Sequence, residues 1–163
     1  MWRGCGEAAK IALKPSGDII YAVTVVVVVI DTNVFVAALR SGGGPSREVI
    51  RRALQGQYQP IFSNALWLEY EDLLGRDVWT QETTDGDRRQ VLAALAAASR
   101  WVKIFYGWRP NLHDEGDNRL VELAIAEGAE AIVTYNIRDF GLADLRWPGL
   151  DILTPPECLE KLK

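Results

Sequence analysis

The chemistry open to this sequence lies in its acidic side chains. Asp31 closes a run of apolar β-branched residues, Val25 to Ile30, and the apolar stretch Val34 to Leu39 follows it. A run apolar on both parities fits a strand covered on both faces, and the tip of such a strand is where open α/β sheets bind ligands. Asp139 comes shortly after a second strand segment, Ala131 to Thr134. Asp117 precedes Leu120, Val121 and Ala124 by three, four and seven residues, so it shares the inward face of their helix. A carboxylate on a core-facing stripe is costly unless it is paired or binds a cation. Asp114 reads mainly as the cap of that helix, Asp117 mainly as a functional acid. A fourth acid comes from the helix Ala65 to Leu74, where Glu69 and Glu71 flank the apolar face at similar angles and periodicity does not choose between them. Asp72 lies further round and is solvated.

Convergent carboxylates without a cysteine or histidine ligand set suit hard cations such as Mg²⁺ or Mn²⁺. Thr32, Asn33, Thr134 and Asn136 are suited to orienting those carboxylates, with Asp114 beside them. His113 is the only histidine, and nothing supplies the partners of a Ser/His/Asp triad. Gly42 to Gly44 comes after an intervening helix rather than directly after the first strand, which argues against a P-loop or a dinucleotide site. The net charge of −4 and the pI near 5.1 exclude nucleic-acid binding through bulk positive charge, so a polyanionic substrate needs local cations. Arg40, Arg47, Arg51 and Arg52 are either such phosphate contacts or solvated surface charges.

These residues need a scaffold, and 163 residues suffice for one domain with a single core. The 48% hydrophobic and 25% charged content is ordinary for a globular chain. The longest apolar run is far below the roughly 20 residues of a spanning helix, which argues against a membrane protein. Cys5 and Cys158 support neither a disulfide framework nor a zinc site, and residues 1 to 14 do not resemble a secretory signal, so a cytoplasmic protein is expected. Residues 1–22 stand apart as an N-terminal extension: an arm or short hairpin, poorly ordered, or an artefact of start-site choice. From residue 23 on, strand and helix signals alternate. Helices are expected from Ser46 as cap, from Asn64 as cap to about Leu74, from Arg88 to Ser99, from Asp114 to Gly128 and after Pro155. Strands are expected at Tyr58 to Ser63, Trp101 to Tyr106, Ala131 to Thr134 and Leu150 to Leu153. This alternation predicts an α/β fold with a parallel sheet and helices on both faces.

Ile30-Asp31-Thr32-Asn33-Val34, Leu66 with Glu69 and Leu74, Asp114 with Asp117-Asn118-Arg119, and Val133-Thr134 with Asn136 and Asp139-Phe140 resemble, in order and spacing, the motifs of the PIN-domain family. The similarity spans about residues 25 to 158, and within that family the chain looks like the bacterial and archaeal toxin components of toxin–antitoxin modules, relatives of the VapC toxins. The resemblance implies a three-layer α/β/α fold with a five-stranded parallel sheet, occupying residues 23–163. It also implies an Mg²⁺- or Mn²⁺-dependent endoribonuclease centre at Asp31, Glu69, Asp117 and Asp139, and so selects Glu69 over Glu71. An RNA substrate, a cognate antitoxin and a homodimer follow from the same resemblance. Glu115 and Gly116 depart from the commoner pattern, which often has Pro and Asp there. Two other functions compete. A non-cleaving PIN-like module would bind RNA or protein. An aspartyl-phosphate hydrolase of the haloacid dehalogenase type shares the opening aspartate, but it generally wants Asp where Asn33 stands and a lysine after a later strand.

Overall fold

The computed structural model describes residues 12–13, 19–20, 25–105, 112, 114–141 and 147–162. Two short strands, β1 (Ala12–Leu13) and β2 (Ile19–Ile20), pair antiparallel. The other strands are β3 (Val26–Ile30), β4 (Tyr58–Phe62), β5 (Arg100–Trp101), β6 (Ala131–Val133) and β7 (Asp151–Leu153). They form one five-stranded sheet in the order β5-β4-β3-β6-β7, parallel throughout. Helices α1 (Thr32–Arg40), α2 (Pro45–Leu54), α3 (Asn64–Leu74), α4 (Asp85–Ala98), α5 (Glu115–Glu127), α6 (Ile137–Gly141) and α7 (Pro155–Lys161) flank it. The α/β class and the parallel sheet agree with the sequence reading.

β3 is the centre because nothing on it needs water. Val28, Val29 and Ile30 are all buried, on both parities, so both faces of the strand are covered. The chain first builds the sheet to one side of β3, through β4 and β5, and then crosses over to add β6 and β7 on the other. The reversal places a crevice at the C-terminal ends of β3 and β6, the position where doubly wound sheets bind ligands. Ile30 pairs in register with Val133, so the residues after both strands emerge side by side.

An aromatic cluster sets the helices above that crevice. Tyr70 of α3 packs edge-on against Phe35 of α1 at 5.2 Å and against Phe62 of β4 at 5.1 Å. Its hydroxyl donates to the carbonyl oxygen of Ile30 at 2.8 Å, which satisfies a phenol that is otherwise wholly buried. Burial and the nearby carboxylates push its pKa well above 10. α1 and α3 are thereby both registered on the last residue of β3.

Several boundaries differ from the sequence expectation, each for a local reason. Ser63 rather than Asn64 caps α3, because the buried Ser63 hydroxyl accepts from the Leu66 N–H at 3.2 Å while Asn64 is the first helical residue. α4 starts earlier than Arg88, at Asp85, because Thr84 and Asp87 form a reciprocal capping box. Ser46 is not a cap: Gly44, at φ 106°, precedes Pro45 at the first position of α2, and the Ser46 side chain is buried. β5 pairs over two residues only, and residues 102–105 continue as irregular chain. Replacing Ser63 with alanine should lower stability by about 1 kcal/mol, whereas Asn64→Ala should change it by less than about half that. Urea denaturation of the two variants distinguishes the capping residue.

Candidate active site

The four expected acids come from four different elements and meet at the crevice. Asp31 is the residue between β3 and α1, where its extended backbone makes it the N-cap of α1. Its carboxylate is not used for capping. Oδ2 instead accepts from the Thr134 hydroxyl at 2.6 Å and from the Asn33 amide at 2.8 Å. Thr134 in turn accepts from Asn33 Nδ2 at 3.1 Å and from the backbone N–H of Asn136 at 2.9 Å. The backbone adds a further link, as the Asp31 N–H donates to the carbonyl of Val133 at 3.0 Å. Asp31 is thus fixed to the turn after β6 by side chains and main chain together.

Two donors each stand between two carboxylates. The Thr32 hydroxyl lies 3.1 Å from Glu69 Oε1 and 3.3 Å from Asp31 Oδ1. The Asn136 amide lies 2.5 Å from Asp139 Oδ2 and 3.4 Å from Asp117 Oδ2. Glu69 reaches the crevice because its neighbour Tyr70 is inserted in the aromatic cluster, while Glu71 is exposed on the far flank of α3. Asp114 caps α5, accepting from Gly116 N at 2.6 Å and from Asp117 N at 3.4 Å. A Cβ at position 116 would stand 2.9 Å from Asp114 Oδ1 and 3.9 Å from Glu69 Oε2. Glycine at 116 therefore lets the cap close beside Glu69. Asn118, also buried, ties Leu112 to the same helix start through both its N–H and its carbonyl.

The electrostatics follow from this crowding. Burial raises the pKa of Asp117 to about 6, and the charges of Asp114, Asp31, Asp139 and Glu69 push in the same direction. Glu69 is also raised, first by burial, with the Asp31 charge adding and the Thr32 hydrogen bond and Arg119 opposing. Arg119 itself lies 3.4 Å from Glu115. Among the described residues, no three Asp, Glu, His or Cys side chains are already gathered closely enough to ligate one ion. The carboxylates instead stand within electrostatic reach of one another, held by hydroxyl and amide donors. Their donor set, all oxygen and unbalanced in charge, fits a hard divalent cation.

The arginines divide. Arg40 ends α1 and is exposed, and Arg47 lies in the first turn of α2, with Nη1 3.5 Å from the Ser41 carbonyl. Arg51 and Arg52 are not brought to the acids. Both hold Glu48, and Arg52 also donates to the Tyr58 hydroxyl at 3.1 Å, at the N-terminal end of β4 and so at the end of the sheet opposite the crevice. These arginines hold the Glu48 carboxyl down at about 2. His113 lies outside the described residues. Two contacts had no signal in the sequence reading. The Ser46 hydroxyl lies 2.7 Å from that of Tyr135, and the Tyr135 N–H donates to Asn33 Oδ1 at 3.2 Å. No helix among the described residues is long and apolar enough to cross a membrane.

The chain belongs to the PIN domain family, whose family model matches residues 27–138. PIN domains are in general nucleases that use divalent metal ions. Among solved structures the chain is similar to VapBC2 from Rickettsia felis bound to a DNA fragment from its promoter. The TM-score is 0.55 at 14% identity, over 78% of this chain and 98% of that one, which shows a shared fold. No curated protein matches the sequence.

Asp117 generates a stability prediction. Its folded pKa of about 6 lies above the ordinary value of 3.8, so between those limits the folded state holds a proton that the unfolded state has lost. Its contribution is then most favourable below about pH 4, declines as the pH rises, and above about pH 6 costs roughly 3 kcal/mol. Asp117→Asn should stabilise the metal-free protein at neutral pH by roughly 1–3 kcal/mol, and the gain should shrink toward pH 4. Denaturant titrations of both proteins at several pH values measure it.

Proposed function

We propose that this chain is an endoribonuclease dependent on Mg²⁺ or Mn²⁺, and the toxin of a cytoplasmic toxin–antitoxin module. The observation that carries the reading is the meeting of Asp31, Glu69, Asp117 and Asp139 at one crevice, where burial and four neighbouring carboxylates raise Asp117. Such an arrangement is unfavourable by itself, and a cation relieves it. Family membership supports the nuclease class, and the toxin–antitoxin neighbour supports the biological setting. In this reading residues 23–163 are the nuclease domain and residues 1–22 an extension. A cognate antitoxin and a second copy of the chain are its protein partners.

Asp31, Asp117 and Asp139 would hold the cation, with Glu69 binding directly or through water. When bound, a divalent ion offsets phosphate charge, acidifies water and stabilises the leaving oxygen. Hydrolysis joins a water oxygen to phosphorus and breaks the bond to the departing sugar oxygen. The chain's part is to arrange oxygen donors before the substrate arrives. Thr134 and Asn33 engage Asp31 Oδ2 and leave Oδ1 the freer atom, with only the longer contact to Thr32. The Asn136 amide bridges Asp117 and Asp139 by donating to both. Both bridges lower the cost of the assembled charge by donating to it. Asn33 stands where an aspartyl-phosphate hydrolase generally has its second aspartate, and its amide is committed to Asp31 and Thr134. That commitment favours the nuclease over the phosphohydrolase.

The deciding experiment is cleavage of total cellular RNA, with end mapping, by the purified chain and by Asp31→Asn and Asp139→Asn. The parent should cut in Mg²⁺ or Mn²⁺ and stop on addition of EDTA. Each variant should lose at least roughly a hundredfold in rate while its circular dichroism stays native. Full cleavage by both variants, or cleavage that survives EDTA, overturns the proposal.

A further inference from the structure

Tyr135 stands in the chain between Thr134 and Asn136, the residues that hold Asp31 and Asp139, yet 47% of it is exposed. Two contacts fix it. Its backbone N–H donates to Asn33 Oδ1 at 3.2 Å, and its phenol oxygen lies 2.7 Å from the hydroxyl of Ser46, a buried residue of α2. Asn33 also holds Asp31, so the ring is tied to the lattice that sets the carboxylates. A solvated aromatic ring anchored at its backbone and its polar tip has lost most of its conformational freedom before any ligand arrives. Such a surface suits a flat, apolar partner, and every nucleobase presents one.

The charge balance points the same way. The protein carries −4 overall and its crevice is acidic, while Arg51 and Arg52 are engaged with Glu48 toward the other end of the sheet. Coulombic attraction alone is a poor source of affinity for RNA here, and base stacking is one that does not depend on charge. We propose that Tyr135 is a stacking platform for an unpaired base beside the scissile phosphate. This inference rests on the nuclease reading above. Duplex RNA keeps its bases stacked on one another and offers none to the ring.

Fluorescein-labelled single-stranded and duplex RNA are titrated by anisotropy, in Mg²⁺, against the Asp31→Asn chain alone and combined with Tyr135→Ala, Tyr135→Leu or Tyr135→Phe. Loss of the ring in the Ala and Leu variants should weaken single-strand binding by roughly tenfold, and Phe should restore it to within about twofold. The dependence of affinity on salt should keep its slope, because no phosphate contact is removed. Duplex binding should be the same in all four proteins. Equal single-strand affinity with and without the ring, an equal loss on duplex, or a Phe variant as weak as Leu overturns the proposal. So does loss of a co-purified protein partner in the Ala variant with RNA binding intact, which assigns the ring to a protein interface. Leu against Phe decides the matter if Ala fails to fold. Cleavage of the same RNA by the chain with Asp31 intact is scored separately and bears on the nuclease reading alone.

Discussion

The Thr134 hydroxyl donates to the carboxylate of Asp31 across the junction of β3 and β6, at the one place in the sheet where the chain reverses direction. Much of the site's arrangement depends on that bond. Ile30 and Val133 are in register, so the two residues that follow are neighbours although 103 positions separate them. Thr134 is completely buried and Asp31 nearly so. A charge so placed needs donors, and it receives the Thr134 hydroxyl and the Asn33 amide, with a longer contact from the Thr32 hydroxyl. The same hydroxyl accepts from the N–H of Asn136 and so directs the turn that presents Asn136 to Asp117 and Asp139. One satisfied carboxylate thereby propagates order to two others.

The core serves this junction from below. Tyr70 touches Phe35, Phe62 and the carbonyl of Ile30, so it links α1, α3, β4 and the end of β3 within one side chain. Glu69 is adjacent to it in sequence and inherits its position. The packing that stabilises the sheet therefore also settles which glutamate faces Asp31, and the site cannot drift independently of the core. The cost is electrostatic. Burial beside other acids disfavours the charged form of Asp117, and that form is the one able to bind a cation.

Much of the fold and three of the acids were legible because their signals are local. A valine-rich run ended by Asp31, and a helical stripe containing Asp117, need no partner to be recognised. Glu69 was different. It and Glu71 flank the apolar face at similar angles, and only the insertion of Tyr70 between Phe35 and Phe62 distinguishes them, which is a tertiary fact. The family resemblance selected Glu69 without supplying that cause. For Arg51 and Arg52 the sequence leaves phosphate contacts and solvated surface charges both open, and their ion pairs with Glu48 three and four residues away, with Arg52 also on Tyr58, place them toward the end of the sheet opposite the crevice. Ser46 looked like a cap by its type, and its burial against Tyr135 depends on a strand 85 residues further along.

If the proposed ribonuclease reading holds, an acidic protein of this kind must separate recognition from neutralisation. Bulk charge serves neither here, and the arginines nearest in sequence to the first crevice helices are partly committed elsewhere. On the proposed nuclease reading, concentrating carboxylates at one strand junction would give a divalent ion a place to neutralise phosphate, but would repel RNA from that point until the ion is present. Affinity that does not rely on charge is then of most use immediately beside the acids, where it can hold a nucleotide against that repulsion. The turn after β6 is the segment able to combine both duties. It carries Thr134 inward to Asp31, Asn136 across to Asp117 and Asp139, and the ring of Tyr135 outward to solvent. Because successive residues of one extended turn face different ways, three consecutive positions can order the acids and present an apolar surface beside them at a single, rigidly anchored place.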